Sequence, residues 1–230
     1  MFFDPLYMMM IAPTFILSLV AQGWVKSAFS KYGKIANRRG MTGAEAARRI
    51  LDASNLSQVR IEPAKGFLSD HYDPRTKVLR LSPDVYSRPS LAAVGVAAHE
   101  AGHALQDAKE YIPLKIRGAL VPAAQFGSKL AFPLIFLGFI LNAVGMIKVG
   151  VVLFSGAVLF QVVTLPVEFN ASSRAMTALA GTGILSGDEL TGARKVLSAA
   201  AMTYIAAAIT AVVQLLYFAM RAGLLGGGDD

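Results

Sequence analysis

The most informative pattern in the sequence is a pair of histidines separated by three residues, with a glutamate directly after the first. His99-Glu100-Ala101-Gly102-His103 has the form H-E-x-x-H. In a helix, residues four apart share a face, so both imidazoles can bind one metal ion while Glu100 faces a metal-bound water. Zinc lowers the pKa of such a water and the glutamate accepts its proton, which is the chemistry of zinc-dependent peptide hydrolysis. A shuffled chain of this composition would contain the pattern only about 0.001 times, so we interpret it as catalytic.

A zinc hydrolase usually has a third protein ligand, and the composition limits which residue types can supply it. The chain contains no cysteine and only one further histidine, His71, so we expect a carboxylate. Glu168 is the leading candidate, because the charge distribution described below places it on the same side of the membrane as the histidines. Asp107 is the alternative. It lies four residues after His103, but one further helical turn is too far for easy convergence on one ion, and we predict that it supports the site from behind a ligand or serves the structure.

Polar residues near these motifs each have two interpretations. His71 or Tyr72 could donate a hydrogen bond to the oxyanion that forms when water attacks a peptide carbonyl. They could instead belong to a polar turn whose aspartates bond to the local backbone. Arg174 could pair with Glu168, or it could anchor the chain among lipid headgroups. We retain His71 as a candidate catalytic residue.

Three segments of the chain together resemble a known family. They are Ser69-Asp70-His71-Tyr72-Asp73-Pro74, His99-Glu100-Ala101-Gly102-His103-Ala104-Leu105-Gln106 and Val167-Glu168-Phe169-Asn170-Ala171-Ser172-Ser173-Arg174. The combination resembles the bacterial membrane-bound neutral zinc metallopeptidases of the YugP type, and the resemblance covers nearly the whole chain. A more distant similarity joins it to the membrane gluzincins, which include HtpX and the CAAX-processing enzymes.

The resemblance implies roles for individual residues. Zinc would be held by His99, His103 and Glu168, with Glu100 as the general base. The gluzincins likewise take a glutamate ligand from a helix that follows the motif helix. In the family an aspartate commonly stands where this chain has Asn170, so Asn170 could support a ligand by hydrogen bonding but would contribute no charge.

The composition indicates a membrane protein. Of the 230 residues, 54% are hydrophobic and only 16% are charged, and the mean hydropathy is positive, values outside the usual range of soluble domains. Apolar residues are concentrated in blocks of about 18 or more, the length that spans a bilayer as a helix. We predict four transmembrane helices, at about residues 5–25, 120–147, 149–166 and 199–220. The block at 120–147, which contains two prolines and a lysine, could instead lie partly in the membrane interface.

The basic residues predict the orientation. Residues 26–118 contain 16 of the 22 Lys and Arg, and cytoplasmic loops carry such an excess. We therefore predict a cytoplasmic catalytic portion made of residues 26–118 and 167–198, a turn at Lys148 outside, and both termini outside. Contacts with acidic lipid headgroups would account for the net charge of +7. No nucleic-acid-binding motif accompanies that charge, so we expect no nucleic-acid partner.

Local patterns predict the fold of the polar portion. Thr42-Gly43-Ala44-Glu45 has the spacing of a capping box and predicts a helix over 43–53. Alternating apolar residues predict short strands near 59–61 and 79–81, which we interpret as a hairpin-like unit around a loop. The fold class is therefore mainly α, a multi-pass membrane protein in a single domain over 1–230, with a small α+β zincin-like cytoplasmic portion.

The H-E-x-x-H pattern lies in a second predicted helix of this portion. The break at Pro89 predicts a helix that starts at Ser90 and continues to about Lys109. Gly102 in its interior costs about 1 kcal/mol relative to alanine. A close approach of another chain segment would explain that glycine.

Together these patterns predict a zinc-dependent endopeptidase with a Zn²⁺ cofactor, in the cell membrane, whose substrates are membrane or membrane-proximal polypeptides. An alternative from another class is a non-catalytic membrane scaffold or adaptor stabilised by its metal. Glu100 favours catalysis, because a structural site needs no base and normally has a fourth protein ligand. A transporter is less consistent with the sequence, because the spanning helices are nearly free of charge apart from Lys129.

Overall fold

The computed structural model describes residues 4–66 and 69–225. This part of the chain is mainly helical, as predicted, and contains one small sheet. Its elements are helices α1 (Pro5–Tyr32), α2 (Gly43–Ala53), α3 (Pro83–Ser87), α4 (Leu91–Ala108), α5 (Ile112–Ile140), α6 (Val144–Gly181) and α7 (Asp188–Arg221), and strands β1 (Arg60–Pro63), β2 (His71–Asp73) and β3 (Val78–Leu81).

Four of the described helices, α1, α5, α6 and α7, are long and apolar enough to cross a membrane, which agrees with the predicted number of spans. Many of their large apolar side chains point outward. Phe15, Phe126 and Val152, for example, are 60%, 67% and 68% exposed. Such exposure is unfavourable in water and favourable in lipid hydrocarbon, because apolar surface is there removed from water. A helix can lie in that environment because it satisfies its own backbone hydrogen bonds.

The break between the second and third spanning helices lies earlier than predicted. α5 ends at Ile140 and α6 begins at Val144, so Lys148 lies inside α6 and not in a turn. Asn142 has a φ of +51°, and the amide of Ala143 donates to the carbonyl of Gly138. A left-handed residue with such a bond commonly ends a helix. Hydropathy predicted the boundary between the two spans at Lys148. The backbone instead ends α5 at Ile140, just before the left-handed Asn142.

The chain divides into two compact units. The first comprises Met1–Ala21, Lys115–Pro166 and Thr203–Asp230, and the second comprises Gln22–Leu114 and Val167–Met202. In the first unit, Phe132, Phe154 and Phe218 pack edge to face, and the Tyr217 hydroxyl donates to Asp4 at 2.9 Å. The predicted catalytic portion, 26–118 with 167–198, resembles the second unit in extent, and the single-domain organisation stays a prediction.

The two helices predicted in the second unit form with nearly the expected bounds. At the start of α2 the Thr42 hydroxyl accepts from the amide of Glu45, while the Glu45 carboxylate accepts from the amide of Thr42. The bonds that this carboxylate accepts from the amide and the hydroxyl of Thr42 also lower the pKa of Glu45. At the start of α4 the Ser90 hydroxyl accepts from the amide of Ala93. Each cap satisfies amides that have no partner within the helix, and so stabilises the helix start. The sequence predicted both of these starts correctly.

The predicted hairpin is wrong, although both of its strands exist. β1 pairs with β3 in parallel, and β2 pairs with β3 antiparallel, giving the order β1-β3-β2. Parallel neighbours need a long connection, and here residues 64–77 supply it, with β2 inside that connection. His71 is consequently part of an edge strand and not of a loop.

Candidate metal centre

Three side chains of the types that bind metal ions meet inside the second unit. His99 and His103 come from α4 and Glu168 from α6, and one potential ligand atom of each lies within 4.8 Å of the other two. The Nε2 atoms of His99 and His103 lie 3.2 Å and 3.7 Å from the same oxygen, Glu168 Oε2. The side chains of His99, His103 and Glu168 are only 13%, 10% and 4% exposed. These are the three residues that the sequence singled out as metal ligands.

A glycine allows the two ligand-bearing helices to lie this close. A Cβ atom on Gly102 would overlap the carbonyl oxygen of Ala171. Ala101 and Ala175, which pack in the same core, are fully buried. The close approach expected at Gly102 is therefore present, and the approaching segment is the one that carries Glu168.

Each of the two clustered histidines has a hydrogen-bonding partner on its other ring nitrogen, Nδ1. His99 Nδ1 lies 3.0 Å from the Ser172 hydroxyl, and His103 Nδ1 lies 3.0 Å from Gln106 Oε1. Such partners fix the orientation of a metal-binding imidazole. Sequence reasoning assigned no role to Ser172 or Gln106. The available signal was helical spacing, since Gln106 is three residues after His103 and Ser172 four residues after Glu168.

Asn170 belongs to the same hydrogen-bonded network. Its side-chain oxygen accepts from Gln106 Nε2 at 3.0 Å and from Arg174 Nε at 2.7 Å. The Arg174 guanidinium also lies 5.8 Å from the centre of the Tyr111 ring. Asn170 therefore reaches His103 through Gln106, which is compatible with the supporting role predicted for it. Arg174 contacts the network through Asn170.

Glu100 lies on α4 beside the cluster but is not one of its three members. It is 8% exposed. Burial alone would lower the pKa of His103, but its interaction with Glu168 and the negative charge of Glu100 outweigh burial and raise that pKa above its ordinary value. Glu100 is thus close enough to influence the cluster electrostatically, although its carboxylate is not one of the three clustered groups.

Asp107 has partners other than the metal-binding group. Its carboxylate accepts a hydrogen bond from the Tyr72 hydroxyl at 2.7 Å and forms an ion pair with Lys77. Burial, followed by the hydrogen bond to Asp107, raises the pKa of Tyr72, so the phenol stays protonated and donates. Asp107 therefore ties the sheet to the C-terminal part of α4, and this contact accounts for it as a structural residue.

His71 lies on β2 with its side chain exposed. Successive strand residues point to opposite faces, and the next residue, Tyr72, is the one that reaches α4. His71 Nδ1 lies 2.8 Å from the carbonyl of Ser69, so in a neutral ring Nδ1 carries the proton and Nε2 has none to donate. Among the described residues no contact joins His71 to the cluster, and its role as an oxyanion donor stays a prediction.

The donor set suits a zinc ion. Two imidazole nitrogens and one carboxylate oxygen are the protein ligands of many catalytic zinc sites, which leave a further position open. The three groups are buried together, and a bound cation would balance the buried negative charge of Glu168. With no cysteine in the chain, these residues form a hard, zinc-compatible site.

Comparison with known proteins gives two similarities. A family model described as "Putative neutral zinc metallopeptidase" matches residues 7–223. A Bacillus subtilis (strain 168) protein named "Putative membrane protease YugP" is 49% identical over 215 residues, which cover 93% of this chain and 94% of that protein. No solved structure matches the chain significantly.

Proposed function

Because this chain belongs to the neutral zinc metallopeptidase family, we propose that it is a zinc-dependent endopeptidase of the membrane. The observation that carries the proposal is the convergence of His99, His103 and Glu168 within 4.8 Å. In this proposal the three side chains are the zinc ligands and the H-E-x-x-H pattern is that of a gluzincin-like peptidase. The relative named as a membrane protease supports a polypeptide substrate.

The bound zinc would supply Lewis acidity, which polarises a peptide carbonyl and lowers the pKa of water. Glu100 then accepts a proton from the attacking water and donates it to the nitrogen of the leaving amine. Ser172 and Gln106 keep the two imidazoles oriented through their Nδ1 atoms. Burial of the carboxylates and imidazoles strengthens each of these electrostatic interactions, because little bulk water screens them.

We place the reaction at the cytoplasmic surface of the membrane. Glu168 follows the predicted apolar span 149–166 by two residues, and the basic residues concentrate in 26–118. By the positive-inside rule that segment, which contains His99 and His103, faces the cytoplasm. Membrane proteins and polypeptides close to the membrane are therefore the substrate class that such a site would reach.

A non-catalytic, metal-stabilised scaffold is the second candidate. It shares the metal-binding cluster, so zinc content cannot distinguish it from a peptidase. Glu100 does distinguish the two, since a scaffold has no use for a buried carboxylate that lies outside the ligand group and a burial cost comes with it. This residue favours the peptidase.

The direct test is hydrolysis by the full-length protein in detergent or lipid vesicles. Casein and a peptide tethered to a single transmembrane helix are offered to the zinc-loaded protein, to protein stripped with a chelator, and to stripped protein reloaded with zinc. We expect one zinc per chain and cleavage that disappears on stripping and returns on reloading. A protein that binds one zinc per chain and cuts neither substrate would favour the scaffold.

A further inference from the structure

Gln106 contacts both helices that supply the metal-binding residues. It lies on α4, is fully buried, and its Oε1 is 3.0 Å from His103 Nδ1. Its Nε2 donates to the carbonyl of Val167 at 2.7 Å and to Asn170 Oδ1 at 3.0 Å. Val167 directly precedes Glu168 on α6. One side chain therefore touches a histidine of one helix and the backbone beside the carboxylate of the other.

The partners of Gln106 leave only one orientation for its amide. A backbone carbonyl has no proton to give, so the amide atom facing Val167 must be the NH₂ group. The other amide atom, the oxygen, then faces His103. An amide oxygen can only accept, and so the proton of this hydrogen bond belongs to His103 Nδ1.

That assignment determines the state of the His103 ring. With a proton on Nδ1, the neutral imidazole carries its lone pair on Nε2, the atom that lies 3.7 Å from Glu168 Oε2. This is the tautomer a metal ligand needs at that position. The opposite tautomer would direct a proton into the cluster and would leave two acceptors facing each other at Gln106.

The partner of His99 imposes no such restriction. The Ser172 hydroxyl, 3.0 Å from His99 Nδ1, can rotate to donate or to accept. Gln106 is therefore the residue of this network that selects a tautomer, and it also joins α4 to α6 beside Glu168.

We propose that Gln106 is a positioning residue, which holds His103 as the Nδ1–H tautomer and fixes α6 so that Glu168 faces Nε2. The proposal rests on the zinc site of the proposed function. It assigns Gln106 two separable tasks, one as acceptor through Oε1 and one as donor through Nε2.

The tautomer can be observed in the wild-type protein without any substitution. Because the chain has three histidines, ¹⁵N-histidine labelling gives an NMR spectrum of three imidazoles, and a His103→Gln variant assigns one of them. We expect His103 to show a protonated Nδ1 and an unprotonated Nε2 in the stripped protein at alkaline pH, and a retained Nδ1 proton after zinc is added. A proton on Nε2 at alkaline pH would overturn the proposal.

Substitutions separate the two tasks. Gln106→Met removes both acceptor and donor at similar volume, and should weaken zinc binding about 10 to 100-fold, the usual effect of losing a partner behind a ligand. Gln106→Glu keeps the acceptor for His103 but loses the donor to Val167 and Asn170, so it should retain the Nδ1–H signal and unfold at a lower temperature than wild type. Gln58→Met, at an exposed glutamine of the same unit, is the matched control and should bind zinc like wild type.

Folding is checked by thermal unfolding of each variant in the same detergent. A folded Gln106→Met protein with wild-type zinc affinity would refute the positioning role and leave the proposed peptidase intact. A wild type with the expected tautomer and zinc affinity, but without hydrolysis of any polypeptide, would refute the peptidase and leave the role of Gln106 intact.

Discussion

Gly102 lies so close to Ala171 that a single methyl group on the glycine would overlap the carbonyl oxygen of the alanine. The contact joins α4 to α6 one residue before His103 and three residues after Glu168. A glycine in a helix interior is unfavourable for the isolated helix. Here it is required, because the separation of the two backbones sets the distance between the histidines and the carboxylate.

Gly102→Ala should therefore destabilise the protein and weaken zinc binding together. Overpacking of this kind costs about 1–3 kcal/mol, in contrast to the usual gain from replacing a helical glycine. Gly118→Ala is the control. Gly118 is an exposed α5 residue with no atom near its missing Cβ, so that change should stabilise by about 0.5–1 kcal/mol. Unfolding in detergent and zinc titration measure both, and equal behaviour of the two variants would contradict the close-contact argument.

Glu100→Gln should keep zinc and lose hydrolysis. The amide fills the space of the carboxylate but cannot accept a proton, and general-base catalysis is worth about 10² to 10⁴-fold in rate. Metal content and cleavage of the tethered peptide are measured in parallel, with Glu62→Gln on β1 as a variant that should match wild type. Loss of zinc from Glu100→Gln would show that Glu100 is a ligand or a support, and retained turnover would eliminate it as the base.

Glu168→Ala should mainly lower zinc affinity, and Asp107→Ala should mainly lower stability. Loss of Glu168 removes a proposed ligand, and zinc affinity should fall by more than the 10 to 100-fold expected for a residue behind a ligand. Loss of Asp107 removes the acceptor of the half-buried Tyr72 hydroxyl, which should cost about 0.5–1.5 kcal/mol of unfolding free energy and leave zinc affinity nearly unchanged. Zinc titration and thermal unfolding of both variants measure these effects. Wild-type zinc affinity in Glu168→Ala together with weakened affinity in Asp107→Ala would assign the ligand role to Asp107.

The orientation can be tested with single cysteines, since the chain has none. A cysteine at Ser57, in the basic segment, should be protected from an impermeant thiol reagent in intact cells and react after lysis. A cysteine at Leu225, which is 48% exposed and follows α7, should react in intact cells. Labelling of both from one side would show that the predicted four-helix topology is wrong.

His71→Gln tests the remaining candidate catalytic residue. An oxyanion donor is worth about 10² to 10³-fold in kcat, so a loss of that size with an unchanged KM would support the predicted role. The hydrogen bond to Ser69 and the exposed position favour a change of less than about tenfold. Asp70→Asn, which alters the hydrogen bonds between Asp70 and Ser82, controls for disturbance of this segment.

The features predicted well from the sequence are those set by neighbouring residues. The caps at Thr42 and Ser90 define α2 and α4, and the i, i+4 spacing of His99 and His103 places both rings on one face. Glu168 was reached by counting ligand types and by topology, and its position beside the histidines agrees with that reasoning.

Two of the features that were missed, the pairing of the strands and the role of Gln106, depend on segments distant in sequence. Strand propensity located β1 and β3, but pairing depends on the path of the connection, which turned the expected hairpin into a parallel pair. Hydropathy cannot detect the left-handed Asn142 that ends α5. The role of Gln106 depends on which α6 carbonyl faces it, and that register is fixed only when the two helices pack.

The placement of the ligands on α4 and α6 has a consequence for biosynthesis. α4 ends at Ala108 and α6 begins at Val144, so a nascent chain exposes both histidines well before the ribosome has made Glu168. A partial chain that ends before α6 has His99, His103 and Glu100 but lacks the third member of the cluster. The metal-binding group of the proposed peptidase can therefore assemble only after α6 has been synthesised and packed against α4.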